Sequence, residues 1–426
     1  MSAQTSEENA ALAAIDESGM VACLRELVAI PSVTGSPAES EAQHWFATQM
    51  EQSGLVTDLW PIDLDALRAD PEFPGMEAPR DVTWGLVGRR GNDDGPTLIL
   101  NGHLDVVPPG DPDLWADGDP FSGRLDAGRV HGRGSCDMKG GLVCCLSAIR
   151  AIRDAGIALR GSVLLESVVG EEDGGLGTFA TLRRGYRGDA AIIPEPTNLA
   201  IIPACAGALS FRLTVRGRSA HASMRRQGIS AIEAFWPIWQ ALQALESRKN
   251  ANADPLMARF DPAYPLSIGT LKAGDWPSSV PECLVAEGRL GVALGEAPED
   301  ARREFEDVLR ATCEGDDWLR AHPVAVEWFG GQFASGGIAG DHPLVGLVRE
   351  VHHQLHGHEP EMHGAPYGSD LRLLTEVGRI PALHYGPGEI RLAHAPDESI
   401  DLASLTAVTK TLVLIILRFC GTARHR

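Results

Sequence analysis

The sequence predicts an α/β chain of two domains: a larger one on a mostly parallel sheet, and a smaller ferredoxin-like α+β domain inserted into it. Three observations carry this. At 426 residues the chain exceeds what one hydrophobic core usually serves. Short apolar runs alternate with helical patterns through the first half, the order of a sheet covered by helices. Near Gly207 the texture changes to β-α-β-β-α-β, the order of a ferredoxin-like sandwich.

Taken in order, residues 15–30 have helical spacing, and Pro31-Ser32-Val33-Thr34-Gly35 breaks it before a second helix over 39–52. The Pro- and Asp-rich stretch 63–92 reads as a surface excursion. Residues 98–100, 162–169 and 190–193 read as buried strands, with a helix over 140–155 between the first two. In the smaller domain, 209–215, 266–271, 284–292 and 324–329 read as strands, and 229–245 and 298–312 as helices. A Gly-rich stretch, 330–340, leads back to the larger domain, which gives boundaries of 1–208, 209–332 and 333–426. From Leu402 onward the spacing suits a C-terminal helix packed on a core. Its most apolar run, 411–417, is far shorter than the roughly 18 apolar residues of a membrane span.

Acids outnumber bases 58 to 37, a formal charge of −21, so the surface repels nucleic acid and anionic membrane. The first ten residues carry acids and no basic region followed by an apolar stretch, so no signal peptide is expected and the cytoplasm is the expected location. The eight cysteines show no Cys-x-x-Cys pair, which fits reduced thiols better than a disulfide frame or a structural zinc knot.

The chemistry gathers at the ends of the apolar runs. Gly102-His103-Leu104-Asp105 follows one strand. Asp137 lies in Gly134-Ser135-Cys136-Asp137-Met138-Lys139-Gly140 before a helix, Glu171 and Glu172 end a second strand, Glu195 follows a third, and His394 sits in a late loop. In open α/β sheets ligands bind beyond the carboxyl ends of strands. Imidazole and carboxylate donors suit zinc, cobalt or manganese, and the lack of thiolates argues against a purely structural site. Two cations about 3.5–4 Å apart polarise an amide carbonyl and acidify a water between them. A free carboxylate must then accept the proton, and of two adjacent glutamates on an extended segment one can ligate while the other faces the water.

In this order the fragments resemble the M20 metallopeptidase and deacylase family, which includes acetylornithine deacetylase, succinyl-diaminopimelate desuccinylase, aminoacylase-1 and glutamate carboxypeptidase. The resemblance covers nearly the whole chain and implies a zinc-peptidase-like catalytic domain with a lid and dimerisation domain. It implies that His103 and His394 bind different metals, with Asp137 bridging them. Glu172 would share the metal of His394, Glu195 that of His103, and Glu171 would be the catalytic base. Asp105 would be the carboxylate that orients His103.

The resemblance also assigns His221, in Gly217-Arg218-Ser219-Ala220-His221, to the oxyanion of the tetrahedral intermediate in a partner subunit's site, which implies a homodimer through the small domain. Arg289 would contact a substrate carboxylate. Ser369, Asp370 and Gly386, in Gly368-Ser369-Asp370 and Tyr385-Gly386-Pro387-Gly388, resemble the substrate-side loops. Two departures blur the substrate: Tyr367-Gly368-Ser369-Asp370 stands where relatives often show Gly-Gly-Thr-Asp, and Gly170 stands where many have Asp.

The expectation is a hydrolase with two divalent ions, zinc foremost, that cleaves a small N-acyl amino compound. Stretch 63–92 resembles the acetylornithine deacetylase-like and formylaminopyrimidine deformylase subgroup and favours deacetylation or deformylation. A carboxypeptidase or dipeptidase, an aromatic amine hydrolase, and a non-catalytic metal-stabilised binding protein are the alternatives.

Overall fold

The computed structural model describes residues 4–423. Residues 1–3 and 424–426, the outer ends of the expected first and last segments, lie outside the described residues. The chain opens with helices α1 (Ser6–Ala13), α2 (Glu17–Val28) and α3 (Pro37–Gln52), then strands β1 (Val56–Pro61), β2 (Trp84–Gly91) and β3 (Thr97–His103). Helix α4 (Gly140–Asp154), β4 (Ser162–Val168), α5 (Leu176–Arg184) and β5 (Ala190–Ile193) follow. Next come β6 (Gly207–Arg216), α6 (Ala231–Asn250), β7 (Leu266–Ala273), β8 (Cys283–Val292), α7 (Pro298–Glu314) and β9 (Ala325–Phe333). Helix α8 (Pro343–His356), β10 (Ala382–His384) and α9 (Leu402–Cys420) complete it.

The structure divides into two compact units: Met1–Ala204 with Gly337–His363 and Ser369–Arg426, and Cys205–Gly336 with Gly364–Gly368. In the first, six strands lie in the order β1-β2-β4-β3-β5-β10. The four strands β4, β3, β5 and β10 run parallel, while β1 and β2 add an antiparallel edge. Both faces are covered. Leu98 and Leu100 of β3 join a cluster with α2, α3, α4, α8 and α9, while the alternate residue Ile99 and its neighbours Leu164 and Ala191 are buried on the other face.

Stretch 63–92 corrects the expectation of a surface excursion. Its end, Trp84–Gly91, is β2, paired on both sides in the sheet, and its start holds a short helix, Leu64–Arg68, whose Leu64 and Leu67 are buried. The alternation over 84–91 is broken by three glycines and two arginines, so the strand signal was weak.

Helix α9 is long and apolar enough to cross a membrane by length and composition. Here its side chains are taken up by the core, with Val408, Leu412, Val413, Leu414, Ile415 and Ile416 fully buried. Arg418 near its end pairs with Glu8 of α1 at 2.7 Å, and the Thr422 hydroxyl bonds to Glu7 at 2.8 Å. Thr5 and Glu8 cap α1 reciprocally, a capping box.

In the second unit four antiparallel strands lie in the order β7-β8-β6-β9, the ferredoxin-like arrangement. Phe235, Ile238, Leu242 and Leu245 of α6, and Phe305, Leu309 and Cys313 of α7, recur at helical spacing and pack on Leu209, Phe211, Leu213 and Val215 of β6. All eight cysteines of the chain are free.

Candidate metal centre

The parallel strands deliver the site. His103 is the last residue of β3 and lies beside Val168, the last of β4, so the turn bearing Glu171 and Glu172 starts next to it. Strand β5 ends at Ile193, two residues before Glu195. Asp137 lies in the turn Ser135–Lys139 that leads into α4. His394 lies in a loop beyond β10, in the left-handed region at φ +59, a conformation histidine tolerates better than branched residues.

Asp137 is the centre of the arrangement. Its Oδ1 is 3.3 Å from His103 Nε2, and its Oδ2 is 3.4 Å from His394 Nε2. His394 Nε2 also lies 3.1 Å from Glu172 Oε2, and His103 Nε2 lies 3.7 Å from Glu195 Oε1. One carboxylate thus faces two imidazoles, each with a second carboxylate of its own. His103, Asp137 and Glu172 place ligand atoms within 4.8 Å of one another.

The electrostatics follow from crowding. Burial opposes charge on His103, but Asp137, Glu195, Asp105 and Glu171 push its imidazole well above the ordinary value. His394 is raised to about 10 by its bonds to Asp137 and Glu172. Burial first, then Asp370 and Glu195, holds the Glu171 carboxyl well above the usual carboxylate range, although His103 pulls the other way. Glu195 is raised likewise by burial and by Asp137. Packing so many carboxyl groups out of water is unfavourable unless cations compensate. Nitrogen and oxygen donors converging on a shared carboxylate fit divalent metal ions.

Several supports escaped the sequence reading. Glu398, fully buried, accepts from the backbone N–H of Cys136 at 2.9 Å and of Asp137 at 3.0 Å, and pairs with the buried Arg133 at 2.6 Å. It is brought there by the pairing of Ser399–Asp401 with Arg129–His131. Its one sequence signal was its place four residues after His394. Lys139, also buried, donates to the carbonyls of Leu27 and Ile30 at the end of α2, and burial lowers its amine to about 7.

Asp105 departs from its expected part. His103 Nδ1 bonds to the Asp105 main-chain carbonyl at 2.8 Å, while the Asp105 carboxylate stands 3.8 Å away. That carboxylate instead accepts from the Glu171 and Glu172 N–H groups, each at 3.3 Å, and from the Thr34 hydroxyl at 3.0 Å.

The expected substrate-side residues are engaged internally. Ser369 Oγ bonds to His384 Nε2 at 3.0 Å, and Asp370 accepts from the Thr178 hydroxyl at 2.6 Å, both buried. The Gly386 N–H donates to Thr197 Oγ1 at 3.0 Å and so does not point at an anion. A Cβ on Gly386 would stand 2.3 Å from the Glu195 carbonyl, so this glycine is needed for close packing behind Glu195.

His221 and Arg289 belong to the second unit. His221 is exposed and caps a short turn, its Nδ1 2.8 Å from Ser223 Oγ. Arg289 lies on β8 opposite Ser210 and Ser267, on the sheet face away from the helices, since its neighbour Leu290 is in the core.

A parallel sheet with imidazoles and carboxylates converging at its strand ends, plus a ferredoxin-like insert, defines a metal-binding α/β hydrolase. Residues 99–418 match the model of peptidase family M20/M25/M40, and the chain belongs to that family. It is similar to N-formyl-4-amino-5-aminomethyl-2-methylpyrimidine deformylase of Halalkalibacterium halodurans, 30% identical over 94% of each chain. It is also similar to succinyl-diaminopimelate desuccinylase of Methylobacterium sp. strain 4-46, 34% identical over 90% of this chain and 92% of the relative. Among solved structures it resembles the Bacillus subtilis YxeP protein, described as a dinuclear metal-binding peptidase of the M20 family, with a TM-score of 0.61, 16% identity, and 96% of this chain and 99% of that one covered. The protein is therefore a metal-dependent hydrolase of amide bonds.

Proposed function

We propose that the chain uses two divalent ions, zinc foremost with cobalt and manganese as alternatives, to cleave a small N-acyl amino compound to a carboxylate and an amine. The carrying observation is Asp137, which presents one oxygen to each of two imidazoles with Glu171 alongside. His103 and Glu195 would hold one ion, His394 and Glu172 the other, with Asp137 between. When bound, the ions supply Lewis acidity toward the scissile carbonyl and acidify the attacking water. Glu171, as its carboxylate, accepts the water's proton and returns it to the departing amine nitrogen. The deformylase and desuccinylase relatives support formyl or succinyl as the acyl group.

In this reading the second unit is a lid and dimerisation domain. His221 donates to the oxyanion in a partner's site, and Arg289 meets a substrate carboxylate. Ile232 and Trp236, one turn apart on α6 and 52% and 62% exposed, support a second copy docking there. The unbridged cysteines support a reducing, cytoplasmic setting.

The test is amine release from N-formyl, N-acetyl and N-succinyl amino compounds and from dipeptides, comparing metal-stripped protein with protein given zinc, cobalt or manganese. Metal-dependent release from one acyl class supports the reading. Release from dipeptides alone makes the protein a peptidase, and no release with two ions bound removes the proposed substrate class.

A further inference from the structure

The N-terminal region before the family-matched stretch reaches the site through one buried cation. Arg80, its side chain 1% exposed, makes two bonds of 3.0 Å to Glu39 of α3 and one of 2.8 Å to Asp173, two residues beyond Glu171. Asp173 also accepts the N–H groups of Glu77 and Ala78, at 3.2 and 2.8 Å. Residues 75–80 are thereby laid against the turn that carries Glu171 and Glu172.

The turn is shaped to receive them. Gly170 has φ +68, and a Cβ there would stand 3.1 Å from Arg80 Nη2. A Cβ on Gly174 would stand 2.4 Å from the Gly75 carbonyl. Within the turn the Gly174 N–H bonds to the Glu171 carbonyl at 3.2 Å and the Gly175 N–H to the Gly170 carbonyl at 2.7 Å, and side chains hold it from outside. Glu171 and Glu172 give their N–H groups to Asp105, and the other side-chain hold is Arg372, which bonds to the Gly174 carbonyl at 2.8 Å.

We propose that Arg80 is a positioning residue for the Glu171–Glu172 pair, clamping residues 75–80 and α3 onto their turn. A bidentate guanidinium on Glu39 fixes the fork's plane, which aims its third donor at Asp173. Held from below by Asp105 and from the side by Asp173, the turn keeps one glutamate toward the metal position and the other free. This rests on the reading of Glu171 as the base.

The experiment compares amide hydrogen exchange over 170–175, kcat and KM in the zinc-loaded wild type with the variants Arg80→Met, Arg80→Lys and Asp173→Asn. The activity probes are N-formyl, N-acetyl and N-succinyl amino acids, with Glu171→Gln as control. Arg80→Met leaves two buried carboxylates without their cation, so Asp173→Asn, which keeps the Arg80–Glu39 pair, stands in if that variant fails to fold. The expected result is exchange about tenfold faster in 170–175 but not in β4 or α9, with lower kcat, little change in KM, and partial rescue by lysine. Wild-type exchange and kcat in Arg80→Met, or in Asp173→Asn if only that folds, overturn the clamp. If Glu171→Gln is inactive in the same series, the base reading stands without it; a fully active Glu171→Gln removes the base reading itself.

Discussion

The His103 imidazole turns its Nδ1 to the main-chain carbonyl of Asp105 and not to its carboxylate. A carbonyl can only accept, so Nδ1 carries the hydrogen and Nε2 is left to face Asp137 and Glu195. The backbone therefore fixes the tautomer, and the carboxylate is released to hold the amides of Glu171 and Glu172. Asp105→Ala should keep the His103 orientation yet lower kcat by about 10- to 100-fold, the range for removal of an outer-shell partner. Unchanged kcat with full metal content would count against this division of labour.

Glu171→Gln should bind the same number of metal ions as the wild type and lose about 10²–10⁴-fold in kcat, the usual contribution of a general base. Metal analysis of the purified variant beside its turnover checks both halves.

Glu398 joins Arg133 to the turn that presents Asp137, with every group buried. Glu398→Ala would strand the guanidinium and two N–H groups, so a loss of about 3–5 kcal/mol is expected in urea unfolding.

His352 is buried beside the Tyr385 hydroxyl, 2.8 Å from its Nδ1, with His353, His356 and His358 around it. Burial first, then these neighbours, lowers it to about 4. Between an ordinary value of about 6.5 and that value, the unfolded chain binds a proton the folded chain refuses. Its contribution to stability is therefore complete above the higher value and lost as pH falls toward the lower. Thermal midpoints measured across this window should decline, and His352→Gln should flatten the decline; an equal slope in the variant would assign the loss elsewhere.

Because His394 is raised to about 10 by Asp137 and Glu172, the metal-free protein holds a proton there at neutral pH. Metal binding must expel it, so affinity should strengthen as pH rises toward that value. Calorimetry in buffers of different ionisation enthalpy reads the released protons directly, and heats independent of buffer would refute the point.

How much of this was legible in the sequence depends on the range of the interactions. The buried parallel strands β3, β4 and β5 announce themselves as apolar runs, and the site acids sit where those runs end. Both insert helices follow from their 3.6-residue spacing. By contrast β2, with its glycines and arginines, owes its strand to the neighbours on either side, and Glu398 and Arg80 owe their roles to partners 261 and 93 residues away. For Ser369 and Asp370 the sequence is ambiguous, because a polar pair beside a glycine looks the same whether it faces a ligand or internal partners, here an imidazole and a hydroxyl.

The tie between α1 and α9 sets an order of events during synthesis. Glu7 and Glu8 leave the ribosome about 400 residues ahead of Arg418 and Thr422, which at roughly 5–20 residues per second is tens of seconds. Once α4 is made, and until α9 follows, its apolar face lacks the helix that covers it. The nascent chain should thus present sticky surface for most of its translation, and its yield in a cell should respond to chaperone supply more than its final stability suggests.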